Sequence, residues 1–302
     1  MTTNALILKE VSKAFGDVRA VDVLSAQVPV GSIYGFLGPN GAGKTTTLRM
    51  IMNIICPDSG RIEVLGRTPV AQAKEKIGYM PEERGLYRKM SVRAVLSYLG
   101  AIKGMKRRDL AREISKWLET VGLTEWANRK VEELSKGMQQ KLQFVATVLA
   151  DPEILILDEP FSGLDPVNLD LLKGIVLKMH DAGKTVLFST HIMEQAEKLC
   201  DHILLINKGR KVLNGTLDQI RSRYEANAVS AELEGDTSFI SDLPMVKSLS
   251  LNGKRLEISL KEQGDSQELL RALVGRVRVR AFEVKVPSLH EIFVHLVGEN
   301  NE

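Results

Sequence analysis

Gly38-Pro39-Asn40-Gly41-Ala42-Gly43-Lys44-Thr45 sets its glycines and a Lys-Thr pair at the spacing G-x-x-x-x-G-K-[ST]. Glycines let the backbone turn its N–H groups inward around an anion, and a helix opening after the loop adds its positive end. In that geometry Lys44 reaches the β- and γ-phosphates of a nucleoside triphosphate. The Thr45 hydroxyl ligates Mg²⁺, and Thr46 offers a donor to the α-phosphate. Hydrolysis also needs a carboxylate near the metal and a residue that positions the attacking water. The run Ile154–Leu157 ends in Asp158 and Glu159, which predicts Asp158 for the metal, through water, and Glu159 for polarising the nucleophile. His191 follows the run Thr185–Ser189, a strand expected beside that of Asp158. By residue type alone, His191 reads more readily as structural than as functional.

The elements that must hold these groups follow from periodicity. Residues 33–37 are an apolar run ending on Gly38, and a helical pattern begins after Gly43, so strand, turn and helix come in the order the loop requires. Before them, apolar and polar residues alternate on either side of Gly16-Asp17, which predicts a strand pair. From Ser91 to Ala150 the period is helical, with stripes starting at Val92, Leu110 and Met138 and stops at Gly104 and Gly122. Ile154–Leu157, without a polar break, reads as a strand buried on both faces of a parallel sheet. Asp165-Pro166 supplies an N-cap and a proline at the first helical position. A hairpin is expected at Asn207-Lys208-Gly209 and a short helix from Leu217. The fold class is α/β: a mostly parallel core sheet, an N-terminal antiparallel part and a helical block inserted at about 88–150, all within residues 1–225. Residues 228–302 read strand, short helix, two strands, helix, strand, helix, and are expected to form a small α+β domain.

The 302 residues are 44% apolar and 26% charged, ordinary for a globular chain with a sizeable core. A net charge of +3, with basic residues spread along the chain, suggests no nucleic-acid partner. Cys56 and Cys200 form neither a paired framework nor a metal-ligand spacing, which fits a reducing compartment. The N-terminus does not read as a signal peptide. No stretch approaches eighteen uninterrupted apolar residues, so any membrane crossing is expected from another polypeptide.

Leu134-Ser-Lys-Gly-Met-Gln-Gln-Lys141 opens a helix about twenty residues before the acid pair. With Gly38–Thr45, Ile154–Glu159, Ser162-Gly-Leu-Asp-Pro166 and Thr190-His191, it resembles the ATP-binding cassette family of phosphate-loop ATPases over roughly residues 5–220. The resemblance implies binding of ATP with Mg²⁺ and its hydrolysis. It implies that Phe15 stacks on adenine, although a phenylalanine between strands could equally be core. Ser135 and Gly137 would cap the γ-phosphate held by a second subunit, so that a homodimer sandwiches two nucleotides. Asp165 would face the opposite subunit, or serve only as the N-cap of its helix. His191 would sense the γ-phosphate.

Three positions depart from the family pattern, one of them Met138, which stands where glutamine is common in the signature. Lys136 replaces a glycine of the signature, and Glu82 stands where the family carries a glutamine that touches Mg²⁺ and the attacking water. Glu82 would either bind Mg²⁺ directly or be displaced and couple to a partner. The segment Pro81-Glu-Glu-Arg-Gly-Leu-Tyr87 and the tail Pro287-Ser-Leu-His-Glu-Ile-Phe293 resemble the separate ATPase subunits of bacterial two-component exporters, which include drug- and sodium-efflux systems. That branch implies a separate transmembrane permease, with Arg84, Tyr87 and Arg88 as contacts, and a cytoplasmic, peripheral place on the inner face of the membrane. The alternatives are a soluble cassette ATPase of translation or DNA repair and a regulatory ATP-binding module. The first usually carries two cassettes or a long coiled coil. Intact Lys44, Asp158, Glu159 and His191 count against the second.

Overall fold

The computed structural model describes residues 4–298 apart from 68–69, 84, 224–227, 254, 262–263 and 286, so Arg84 lies outside the described residues. Contacts divide the chain into two units, residues 1–217 and 218–302. The sequence set the boundary between 225 and 228. The division falls earlier because a short helix, α7 (Leu217–Arg221), begins at it, and the change in composition comes only after that helix.

The first unit opens with the expected strand pair, β1 (Asn4–Phe15) and β2 (Val18–Pro29), turned at Gly16 with φ +58°. Buried positions alternate along β2 from Asp22 to Val28, as a half-solvated antiparallel pair requires, while register shifts interrupt the alternation in β1. β4 (Ser59–Val64) joins the far edge of β1, giving the sheet order β2-β1-β4. Between these strands lie β3 (Ile33–Leu37), buried at every residue, and α1 (Lys44–Ile51).

The second sheet has six strands. Besides β3 it contains β5 (Ile77–Met80), β6 (Ile154–Asp158), β7 (Thr185–Thr190), β8 (His202–Asn207) and β9 (Arg210–Thr216), in the order β5-β6-β7-β3-β8-β9. All neighbours are parallel except β8 and β9, which form the hairpin at Lys208-Gly209. Both turn residues have positive φ, 47° and 77°, the backbone that a two-residue hairpin matched to strand twist demands. β6 and β7 are buried end to end, as the unbroken apolar run of β6 predicts for that strand.

The inserted block consists of α2 (Val92–Ile102), α3 (Arg107–Thr120) and α4 (Lys136–Val148). Ser91 caps α2 by accepting from the Ala94 N–H, and Val92, Val95 and Leu96 bury its inner face. α5 (Pro166–Asp181) and α6 (Met193–Leu199) flank β7 in sequence, and Leu172, Val176 and Ala196 are fully buried on them.

The second unit holds β10 (Ala228–Glu234), β11 (Val246–Asn252), β12 (Arg255–Leu260), α8 (Ser266–Leu273), β13 (Arg278–Lys285) and α9 (Leu289–Gly298). With a 3₁₀ turn at Ser238–Asp242, this is the order the sequence predicts. The sheet is antiparallel, β11-β12-β10-β13, and Leu269 and Leu273 of α8 pack with Val229, Ala231 and Ile258 in one core.

Candidate nucleotide site

The loop between β3 and α1 is shaped by backbone that only glycine tolerates. A Cβ on Gly38 (φ +150°) would lie 2.1 Å from the Ile206 carbonyl oxygen, and one on Gly43 (φ +102°) 2.3 Å from that of Ala20. The loop is thus pressed against β8 and β2 with no room for a side chain. Lys44, nearly buried, donates from Nζ to the carbonyls of Gly38 at 2.8 Å and Pro39 at 3.2 Å. The same Nζ stands 3.5 Å from Glu159 Oε1. The ammonium is therefore held between the loop carbonyls and the acid.

Parallel pairing brings the acids to this loop. Asp158 is opposite Ser189 in the β6–β7 register, and Leu37 is opposite Thr190 in the β3–β7 register. Asp158, fully buried, accepts at Oδ1 from Ser189 Oγ at 2.5 Å and from Thr45 Oγ1 at 3.2 Å. Its Oδ2 is buried without a hydrogen-bond partner. A buried carboxylate oxygen left unpaired is costly, so this atom is suited to a cation. Asp158 and Thr45 supply the hard oxygens Mg²⁺ prefers. Among the described residues no group of three or more His, Cys, Asp or Glu could cage a metal alone, and Mg²⁺ commonly completes its shell with phosphate and water.

Glu159 adopts φ +49°, outside the strand conformation that ends at Asp158. Its N–H donates to Ser189 Oγ at 2.9 Å, which holds this uncommon turn in place. The turn directs its carboxylate to Lys44 and to His191, whose Nδ1 lies 3.1 Å from both Oε1 and Oε2. A cleft of about 260 Å³ is lined by residues of the phosphate loop, including Asn40, Lys44, Thr45 and Thr46, together with Glu82 and Glu159. Glu82, far in sequence from both motifs, thus stands at the same cleft.

The remaining predicted residues lie elsewhere. Phe15 ends β1 with 52% of its surface exposed, so it is not a core residue; the Lys13 ammonium lies 5.6 Å from its ring centroid. Ser135 is exposed and caps α4 by accepting from the Met138 N–H at 3.3 Å. Neither Ser135 nor Gly137 lines the cleft that contains Lys44. Asp165 caps α5, accepting from the N–H groups of Val167 and Asn168 at 3.1 Å each. The Asn168 backbone and side-chain donors hold its carboxyl below the usual aspartate range.

Sequence reasoning missed Ser189 and Gln143. Ser189 binds Asp158 and Glu159 together; a serine closing an otherwise apolar run was its available signal. Gln143 of α4 donates from Nε2 to the carbonyls of Pro81 at 2.7 Å and Glu83 at 3.2 Å, tying the helical block to the loop that carries Glu82. Its signal was a glutamine on the buried side of an amphipathic helix.

A phosphate loop, a buried aspartate beside its threonine, and a glutamate-histidine pair at neighbouring strand ends define a nucleotide-hydrolysing P-loop protein. Residues 21–162 match the model of the ABC transporter family, and residues 215–297 that of the C-terminal domain of DrrA1-3-like ATP-binding proteins. The chain is 43% identical over 293 residues to the uncharacterized ABC transporter ATP-binding protein YhaQ of Bacillus subtilis (strain 168), covering 97% of this chain and 98% of that one. It is 34% identical over 307 residues to the Nod factor export ATP-binding protein I of Rhizobium sp. (strain N33), across the whole of both. A solved ATP-binding subunit of an ABC transporter superposes with a TM-score of 0.69 at 29% identity, over 74% of this chain and 93% of that one. The chain belongs to the ABC transporter ATP-binding proteins. It is an ATPase, the nucleotide-binding subunit of a transporter.

Proposed function

We propose that this chain powers an exporter, as two copies that close over two ATP molecules and drive a separate transmembrane permease from the inner face of the membrane. The observation that carries the reading is the meeting of Lys44, Asp158, Glu159 and His191 beside the phosphate loop. Support for export comes from the end-to-end alignment with the Nod factor export protein. Among the described residues no helix is long and apolar enough to cross a membrane, consistent with a permease made by another chain.

In this reading the loop N–H groups and Lys44 hold the β- and γ-phosphates. Thr45 and Asp158 hold Mg²⁺, which supplies charge neutralisation on the phosphate oxygens. Glu159 accepts the proton of a water as its oxygen attacks the γ-phosphorus. The bond to the β-phosphate oxygen breaks, ADP carries away that electron pair, and inorganic phosphate is released. His191 holds the Glu159 carboxylate and contacts the γ-phosphate. Phe15 stacks on the adenine. Glu82, on the wall of the cleft, would add a carboxylate ligand for the metal, and Asp165 faces the partner. Ser135 and Gly137 lie outside the cleft lining, which fits their acting on the ATP of the second copy.

The permease would seat on a groove of about 240 Å³ beside the 81–86 loop. It is lined by Tyr79, Leu86, Leu99, Ile102 and Gln143 among others. The test is co-expression with a candidate permease. The chain is expected in the membrane fraction only when the permease is present at physiological salt, and ATP hydrolysis by that complex should rise with a transported compound. Recovery on ribosomes or DNA would overturn the exporter reading.

A further inference from the structure

The basic residues are not spread evenly. Residues 88–116 hold nine lysines and arginines against two carboxylates, a local charge of +7 in a chain whose total is +3. The rest of the chain therefore sums to −4, so this segment carries the chain's excess of positive charge. Its centre is the turn between α2 and α3, where Lys106, Arg107 and Arg108 are all exposed.

These three cations have no internal task. The two carboxylates of the segment are engaged by others: Arg112 lies 3.7 Å from Asp109 and 3.4 Å from Glu113, and Lys116 lies 4.0 Å from Glu113. Among the described residues no carboxylate stands within ion-pair distance of Lys106, Arg107 or Arg108. They also oppose the local helix. Lys106 is the N-cap of α3 without a side-chain cap hydrogen bond, and Arg107 and Arg108 open its first turn, with Asp109 as the acid of that turn. Cations at the positive end of a helix are unfavourable, so folding does not explain this choice.

The turn is presented rigidly. A Cβ on Gly100 would lie 2.3 Å from Leu110 Cδ1, so α2 and α3 are in close contact just behind it. Lys103 Nζ donates to the carbonyls of Lys74 and Ile77, fixing the end of α2 to β5. Beside the cations is an exposed apolar edge. Ile102 is 64% exposed, and Tyr98, one turn earlier on α2, meets Tyr87 edge to face at 5.3 Å, with both tyrosines about half exposed.

We infer that the α2–α3 turn and the Tyr87–Tyr98–Ile102 edge form a contact surface for a bilayer with anionic headgroups. Unpaired lysine and arginine draw a protein to such a surface, while tyrosine and isoleucine enter the headgroup boundary. A polynucleotide would use the cations but not an exposed isoleucine. Ile102 and Lys103 also line the groove proposed for the permease, so both surfaces would face the membrane together. That agreement rests on the exporter reading; the lipid contact itself does not.

The test is sedimentation of the purified full chain, without permease or ATP, with phosphatidylglycerol–phosphatidylcholine vesicles and with pure phosphatidylcholine vesicles at low salt. Binding to the mixed vesicles alone is expected, weakening as salt rises. The triple variant Lys106→Ala, Arg107→Ala, Arg108→Ala should lose about a hundredfold in partitioning, from three cations. Its thermal midpoint should equal or exceed the parent's, since repulsion in the first turn of α3 is relieved, and its basal ATP hydrolysis should be unchanged. Equal binding to both vesicle types, full retention by the triple variant, or tighter capture by a short double-stranded RNA than by the anionic vesicles would each overturn the inference. Because neither ATP nor permease is present, failure here leaves the exporter reading standing.

Discussion

His191 Nδ1 lies 3.1 Å from both carboxylate oxygens of Glu159, each residue standing just beyond the end of one of two paired parallel strands. The contact fixes the orientation of the acid at the mouth of the phosphate loop. Glu159→Gln keeps the shape of the side chain but loses the basicity of the carboxylate. Hydrolysis should fall by roughly a hundredfold to ten-thousandfold, the usual span for a general base. ATP binding should persist, and size-exclusion chromatography should show a dimer trapped by ATP. Turnover within a few-fold of the parent would remove Glu159 from this role.

Lys44→Ala should abolish nucleotide binding. The ammonium is the one cation the loop directs inward, and its loss leaves Glu159 near the phosphates without the countercharge now 3.5 Å away. Titration calorimetry with ATP is the check. An unchanged affinity would contradict the assignment of the loop.

Glu82 lines the cleft with Glu159, and a second carboxylate near a γ-phosphate is tolerated only through a metal. Glu82→Gln should therefore retain or raise basal ATP hydrolysis measured with Mg²⁺. Complete loss would show that the carboxylate has a catalytic task of its own.

Gly43→Ala adds a methyl group that meets the Ala20 carbonyl at 2.3 Å on a backbone with φ +102°. Strain of this kind costs about 1–3 kcal/mol. The variant should melt at a lower temperature and lose the stabilisation that ATP gives the parent. A normal ATP-induced thermal shift would mean that the loop can move away from β2 without losing its ligand.

Asp165 accepts from two backbone N–H groups and from the Asn168 amide, which lowers its carboxyl below the usual aspartate range. A depressed folded-state pKa gives stability that is present above the unfolded value and lost as pH falls through the folded one. Asp165→Asn keeps an effective N-cap but cannot titrate. Melting curves of parent and variant should stay apart at neutral pH and converge as acid protonates Asp165. Parallel curves across the acidic range would refute the assignment.

By itself the sequence determined the chemistry and the order of the elements. The glycines of residues 38–43, the apolar run ending in Asp158 and Glu159, and the stripes of α2 to α5 are local patterns. Local backbone preference and burial fix what such patterns become. Which elements meet was decided only by the tertiary structure. β3 lies between β7 and β8, strands that begin about 150 residues later, which brings the loop carrying Thr45 to Asp158, while the pairing of β6 with β7 sets Ser189 against Asp158 and Glu159. Period and composition show that a strand is buried but not which strand lies beside it. The roles of Ser189 and Gln143 and the exposure of Phe15 therefore stayed hidden until the sheets were assembled, and the place of Glu82 at the cleft was legible only through the family resemblance. For the same reason the cations at 106–108 were countable in the sequence, but only the fold shows them unpaired beside an exposed apolar edge.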